Sequence, residues 1–135
     1  MYMNTEGKHV VLVVDDDANL REILRAKLEA ADFVIFEATD GQDAIDKVKK
    51  EKPDLVLMDV QMPRMNGITA LSKIKADPEI ADTKVLFLTN YGEAETADKL
   101  LDDKFAKEIG AVGHIRKTDD LEAIIELIKQ EVIKK

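Results

Sequence analysis

The chain has 135 residues, which fits one compact domain, and 45% of them are hydrophobic, which is enough to fill one core. The formal net charge of −8 argues against a surface that binds DNA or RNA, because that affinity comes mainly from lysine and arginine. There is no cysteine, so disulfides, thiolate metal sites and cysteine nucleophiles are excluded.

The first residues, MYMNTEG, carry neither a strand pattern nor the apolar core of a signal peptide. We expect residues 1–7 to form a flexible leader and residues 8–135 to form a single domain. No apolar run approaches the roughly 20 residues of a membrane span. The expected location is therefore the cytoplasm, without membrane contact.

In the first half of the chain, strand patterns alternate with helix patterns. The β-branched run at 9–14 predicts a strand that is buried on both faces. Apolar residues at helical spacing over 20–31 predict the first helix, and a second strand follows at 33–38. The pattern then predicts a helix over 41–50 and a third strand at 54–58.

The same alternation continues in the second half of the chain. A third helix is predicted to end before Pro78, because proline cannot continue it. A strand at 84–89, a long helix at 93–109, a short strand at 111–115 and an amphipathic helix at 121–132 follow. Asp17 and Asp40 are candidate N-caps of the first two helices, and Asn66 opens the third.

Five strands alternating with five helices predict an α/β fold whose parallel sheet is covered on both faces. In such sheets ligands bind beyond the carboxyl ends of the strands, where the strand order reverses. Polar groups stand at these ends: Asp15 and Asp16 after the first strand, Asp59 after the third, Thr89 at the end of the fourth, and Lys117 after the fifth. We expect them to face one cavity.

Clustered carboxylates cannot stay ionised without either a raised pKa or a bound cation. A small number of hard oxygen ligands suits Mg²⁺, which would in turn hold the oxygens of a phosphoryl group. The carboxylate of Asp59 is then a candidate nucleophile that could form an acyl phosphate. Lys117 and the Thr89 hydroxyl would contact the remaining phosphoryl oxygens. Taken singly, each of these residues has an ordinary structural explanation, and the interpretation depends on their joint pattern.

The chain resembles the receiver domains of response regulators, the CheY-like domains of two-component signalling. The resemblance covers residues 8 to 133 and is carried in order by VLVVDDD, PDLVLMDVQMPRMNG, VLFLT and GAVGHIRK. It implies a doubly wound, flavodoxin-like sheet of five parallel strands in the order 2-1-3-4-5. It also implies a signalling switch rather than an enzyme.

The resemblance assigns a role to each candidate residue. Asp59 is the implied phospho-acceptor, and its phosphoryl group comes from a histidine kinase or a histidine phosphotransfer protein. Asp15, Asp16 and Asp59 hold Mg²⁺ or Mn²⁺ together with the backbone carbonyl of Gln61. Thr89 and Lys117 contact the phosphoryl group. A downstream protein is expected to bind the face formed by the fourth helix, the fifth strand and the fifth helix.

Three features depart from the family pattern. His114 stands where the family has an aromatic switch residue, so it is either part of the switch or a partly exposed ring without a special role. Thr118 follows Lys117 where proline is usual; we expect a cis bond there, with a trans bond and a re-routed loop as the alternative. The stretch from Thr89 to Lys117 is longer than usual, which predicts a longer fourth helix.

Two other functions stay open. The chain could be a receiver that acts as a scaffold without phosphate, an interpretation that Asn90 and Thr118 leave possible. It could also be a Mg²⁺-dependent phosphohydrolase with an aspartate nucleophile. Such enzymes usually carry a second aspartate two residues after the first, and here that position is Gln61.

Overall fold

The structure is a computed structural model that describes residues 7–89, 103–117 and 120–133. Strands and helices alternate throughout the described ranges. In chain order they are β1 (Val10–Val14), α1 (Ala18–Ala30), β2 (Val34–Ala38), α2 (Gly41–Glu51), β3 (Leu55–Asp59), α3 (Gly67–Ala76), β4 (Val85–Thr89), α4 (Asp103–Glu108), β5 (Gly113–Arg116) and α5 (Leu121–Ile133).

The five strands form one parallel sheet in the order β2-β1-β3-β4-β5. This order confirms the doubly wound architecture, and the order reverses between β1 and β3. No helix in the described ranges is both long enough and apolar enough to span a membrane.

Every residue of β1, β3 and β4 is buried, as expected for central strands with helices on both faces. Alternate side chains of these strands point into two separate clusters. One cluster packs against α2, α3 and α4, and the other packs against α1 and α5. The three central strands therefore form the buried centre of the sheet. β3 ends in the carboxylate Asp59, and Asp15 directly follows β1.

The predicted N-caps Asp17 and Asp40 are confirmed, and Asn66 caps α3. In each case a side-chain oxygen accepts a hydrogen bond of 2.8–2.9 Å from a backbone N–H two or three residues further on. These bonds satisfy donors that the first turn of a helix otherwise leaves unpaired.

Each strand begins one or two residues later than predicted, and the third and fifth strands also end one residue later. The third strand includes Asp59, because this residue stays in register with Leu88 of β4. The fifth strand begins at Gly113 rather than at Ala111, whose N–H instead donates to the carbonyl of Ala106 at 2.8 Å and closes the end of α4. Most of the predicted long fourth helix lies outside the described residues.

Candidate functional site

The carboxyl ends of the central strands bring together the polar residues that the sequence analysis singled out. Asp15 follows β1, while Asp59 and Thr89 are the last residues of β3 and β4. All three are buried, with 0%, 2% and 5% of their surfaces exposed. Lys117 reaches the same place from the end of β5. Parallel strands make this meeting unavoidable, because their carboxyl ends share one edge.

Three carboxylates converge at this edge. Asp15, Asp16 and Asp59 each offer one oxygen, and these oxygens all lie within 4.8 Å of one another. Two of the acids are buried and Asp16 is exposed, so the cluster is open to solvent on one side. Carboxylate oxygens at this spacing are ligands that Mg²⁺ or Mn²⁺ prefers.

The Lys117 ammonium bridges the two buried acids. Its Nζ lies 2.9 Å from Asp15 Oδ2 and 3.1 Å from Asp59 Oδ2. The other oxygen of each acid accepts a backbone hydrogen bond, from the N–H of Asp17 in one case and of Gln61 in the other. Asp15 Oδ2 is buried, and its ion pair with Lys117 is the one polar contact that the described residues give it. A buried oxygen in this situation fits a metal ligand.

Burial dominates the protonation of these groups. It raises the pKa of Asp59 to about 7, and repulsion from Asp15 adds to the effect, while Lys117 opposes it. The pKa of Asp15 is likewise raised, mainly by burial. Burial alone would lower the pKa of Lys117, but its contacts with the two carboxylates outweigh this and raise it. One ammonium thus does not fully compensate two buried carboxylates, which leaves the site short of positive charge.

The backbone of Asp15 is fixed by a residue that the sequence analysis missed. Arg21 on α1 donates from Nη1 to the Asp15 carbonyl at 2.6 Å, and its Nε donates to Glu37 of β2 at 3.0 Å. The Asp15 N–H in turn donates to the carbonyl of Ala38 at 3.1 Å. An arginine one turn after the helix cap was the available sequence signal, but its partners are set by the fold.

The site opens into a cavity of about 380 Å³. Its lining includes the charged residues Asp16, Asp59 and Lys117, and the segment after β3 contributes Gln61, Met62 and Pro63. The cavity is therefore lined by charged groups and bordered by the segment in which Gln61 was predicted to offer its carbonyl. That ligand role stays a prediction.

Thr89 and His114 lie at the β4–β5 side of the site. The Thr89 hydroxyl donates to the carbonyl of Ile115 at 3.3 Å, so it contacts β5 in this structure. His114 is partly buried on β5 and lines a small cavity of about 130 Å³ with Lys107 of α4 and Leu127 of α5. The switch role of His114 stays a prediction. Asn90, which leaves the scaffold interpretation possible, and Thr118, where a cis bond after Lys117 was expected, lie outside the described ranges.

Comparison with known proteins gives one consistent result. The family model of the response regulator receiver domain matches residues 11–129. Sporulation initiation phosphotransferase F of Bacillus subtilis is 34% identical over 120 residues, which cover 89% of this chain and 90% of that protein. Chemotaxis protein CheY of Thermotoga maritima is 43% identical over 89 residues, covering 64% of this chain and 71% of that protein.

Longer relatives and solved structures agree with this result. Protein-glutamate methylesterase/protein-glutamine glutaminase 5 of Geobacter metallireducens is 37% identical over 139 residues, but the chain spans only 37% of that protein. The response regulator domain of Thermotoga maritima CheB superposes with a TM-score of 0.78 at 30% identity, covering 95% of this chain and 98% of that one. Vibrio cholerae CheY4 gives a TM-score of 0.77 at 26% identity, with 92% and 98% coverage.

Proposed function

Because the chain belongs to the response regulator receiver domain family of two-component signalling, we propose that it is a phosphorylation-dependent switch with Asp59 as the phospho-acceptor. One observation carries the proposal: Asp59 is a buried carboxylate that is paired with Lys117 and lines a cavity beside two further acids. A buried carboxylate, a counter-charge and a candidate cation site around one space support the proposed role of Asp59 as the nucleophile.

The transfer uses an oxygen of Asp59 as the attacking atom. A bond forms between this oxygen and phosphorus while the bond from phosphorus to the donor's imidazole nitrogen breaks. The donor ring, protonated beforehand on its other nitrogen, leaves as neutral imidazole. Lys117, 3.1 Å from Asp59 Oδ2, then stands beside the new acyl phosphate and offsets its charge. A divalent cation held by Asp15, Asp16, Asp59 and the Gln61 carbonyl would supply the positive charge that the transferring oxygens need.

We further propose that Thr89 transmits the effect of phosphorylation from the site to the surface. Its hydroxyl contacts the Ile115 carbonyl here, so turning toward a phosphoryl group on Asp59 would break that bond to β5. The face formed by α4, β5 and α5, including His114, is the proposed surface for a downstream protein. The proposed donor is a histidine kinase or a histidine phosphotransfer protein, and the proposed location is the cytoplasm. No nucleic acid or membrane partner is proposed.

Acetyl phosphate provides the direct test of this function. Incubation with acetyl phosphate and Mg²⁺ is expected to add one phosphoryl group to the chain, seen by intact mass, because the small donor replaces the kinase. Asp59→Asn is expected to abolish the added mass, and Lys49→Gln, on the far end of α2, is expected to keep it. An unmodified wild-type chain would favour the scaffold alternative, and steady release of product from a generic phosphate ester would favour the hydrolase.

Binding of Mg²⁺ is expected to raise the melting temperature, since a ligand that binds only the folded state stabilises it. At a free concentration tenfold above the dissociation constant the stabilisation is about 1.4 kcal/mol. Asp15→Asn is expected to lose most of this increase, because Asp15 offers a buried ligand oxygen. Differential scanning fluorimetry with Mg²⁺, and with Ca²⁺ or Na⁺ at matched ionic strength, measures the effect. An equal increase in the wild type and in Asp15→Asn would contradict it.

A further inference from the structure

A salt bridge ties the segment after β3 to the start of α2. Arg64 Nη2 donates to Asp40 Oδ2, and Asp40 is at the same time the N-cap of α2. Next to this contact, Met65 packs against Gly41 so closely that a Cβ at Gly41 would lie 2.8 Å from Met65 Cγ and 2.8 Å from its carbonyl oxygen. The segment that borders the cavity is thus held against α2 by two adjacent contacts.

Arg64 occupies a backbone conformation that does not favour arginine. Its φ is +66°, and the N–H of Met65 donates to the carbonyl of Pro63 at 2.7 Å. A hydrogen bond from the N–H of one residue to the carbonyl two residues earlier, around a central residue of positive φ, forms a γ-turn. This form of the γ-turn is rare and strained. Glycine would adopt it without strain. The presence of arginine rather than glycine at this position therefore calls for a physical reason.

Stability alone does not account for the arginine. The Arg64 side chain is 72% exposed although that of Asp40 is only 10% exposed, so solvent screens the pair from the arginine side and limits its contribution to folding. The turn that carries the pair directly follows Gln61, Met62 and Pro63, the three residues of this segment that line the cavity beside Asp59. A tight turn held on one side by Asp40 sets where the preceding backbone lies.

We propose that Arg64 is a positioning residue, which through its salt bridge to Asp40 holds the Gln61–Pro63 wall in place for a divalent cation beside Asp59. This inference rests on the proposed function, because it concerns the same cation site. Arg64 need not touch the cation. Partners of this kind, which orient the groups around a metal, typically change metal affinity by tenfold or more when they are removed.

Two substitutions separate this role from simple electrostatics. Arg64→Gly removes the side chain, and glycine adopts the positive φ without strain. Asp40→Ser keeps an N-cap for α2, but the serine side chain is too short to reach Arg64. Removing a positive charge near an acidic site should by itself tighten cation binding, and removing a negative charge should weaken it. Positioning instead predicts that both substitutions weaken binding.

Titration with Mn²⁺, followed by the electron paramagnetic resonance signal of the free ion, measures the affinity without any phosphoryl transfer. We expect Arg64→Gly and Asp40→Ser each to weaken Mn²⁺ binding about tenfold. The double variant should lose no more affinity than either single variant, because both substitutions break the same salt bridge. Arg64→Lys should keep part of the affinity that Arg64→Gly loses. Lys49→Gln breaks an ion pair with Asp77 in which both side chains are partly exposed, and it is the control for loss of one surface cation. Its affinity and melting temperature should match the wild type, and Arg64→Gly should keep a similar melting temperature.

The outcomes distinguish the two proposals. Wild-type affinity in Arg64→Gly, or additive losses in the double variant, overturns the positioning role and leaves the proposed function intact. Slower phosphorylation with unchanged Mn²⁺ affinity also overturns it, because Arg64 would then contact the phosphoryl donor instead. A wild-type chain that binds no Mn²⁺ overturns both the cation site and the role of Arg64 in it.

Discussion

Asp59→Asn is expected to stabilise the fold by about 2 kcal/mol at about pH 8 without divalent cations, and to give almost no gain near pH 4. Burial and the charge of Asp15 raise the pKa of Asp59 from 3.8 to about 7 in the folded chain. The folded state therefore binds the proton more tightly than the unfolded state between these values. Ionising Asp59 costs stability progressively as the pH rises through this window, and the asparagine lacks that cost.

The interval between the two pKa values corresponds to a loss of about 4 kcal/mol in the free energy of unfolding once Asp59 is fully ionised. We expect Asp59→Asn to recover about half of this loss, because the buried asparagine amide brings donors that need partners of their own. Urea unfolding of both proteins in EDTA across the pH window measures the difference. Asp16→Asn removes the same charge from the exposed member of the cluster and should change stability little. A gain for Asp59→Asn that did not depend on pH would contradict this explanation.

Gly67→Ala is expected to destabilise the chain by about 3 kcal/mol or more. A Cβ at this position would lie 2.3 Å from the carbonyl oxygen of Asp59 and 3.2 Å from Val60 Cα. Both neighbours are backbone atoms, so no rotamer change can relieve the overlap. The gain of up to about 1 kcal/mol from placing alanine in a helix is smaller than this penalty.

Thermal or urea unfolding measures the Gly67→Ala effect, and Thr69→Ala is the matched control. Thr69 lies two residues further along α3 and is exposed, so its substitution should change the free energy of unfolding by no more than about 0.5 kcal/mol. Because the overlap falls on Asp59 itself, any folded Gly67→Ala protein should also accept phosphate from acetyl phosphate more slowly. Near wild-type stability of Gly67→Ala would show that α3 can move away from β3 freely.

Most of the fold was predictable because buried parallel strands leave continuous apolar runs, and the helices between them are amphipathic. The alternation predicted a parallel sheet, whereas the strand order came from the family resemblance. Strand ends were less accurate: Asp59 joins β3 and Ala111 closes α4, because hydrogen-bond register decides such boundaries. The side-chain caps were predictable, since capping is local in sequence.

The candidate site was predictable in part, because it follows from the parallel sheet that the alternation predicted. Parallel topology alone puts Asp15, Asp59 and Lys117 at one edge of the sheet. Contacts that depend on the packing of separate elements were not predictable: Arg21 on the Asp15 carbonyl and Arg64 on Asp40 each join segments that no sequence pattern links. The hydrogen bond of Thr89 to Ile115 depends on one side-chain torsion, which the sequence does not specify.

The arrangement of the strands also governs how the protein acquires its site. Asp15 and Asp59 are distant along the chain and meet only when β1 has paired with β3, and Lys117 arrives with β5 at the edge of the sheet. Such non-local parallel pairing forms slowly, because long loops must close before any contact compensates their lost entropy. Binding at the proposed cation site should therefore appear late in refolding, and its appearance would report the completed sheet.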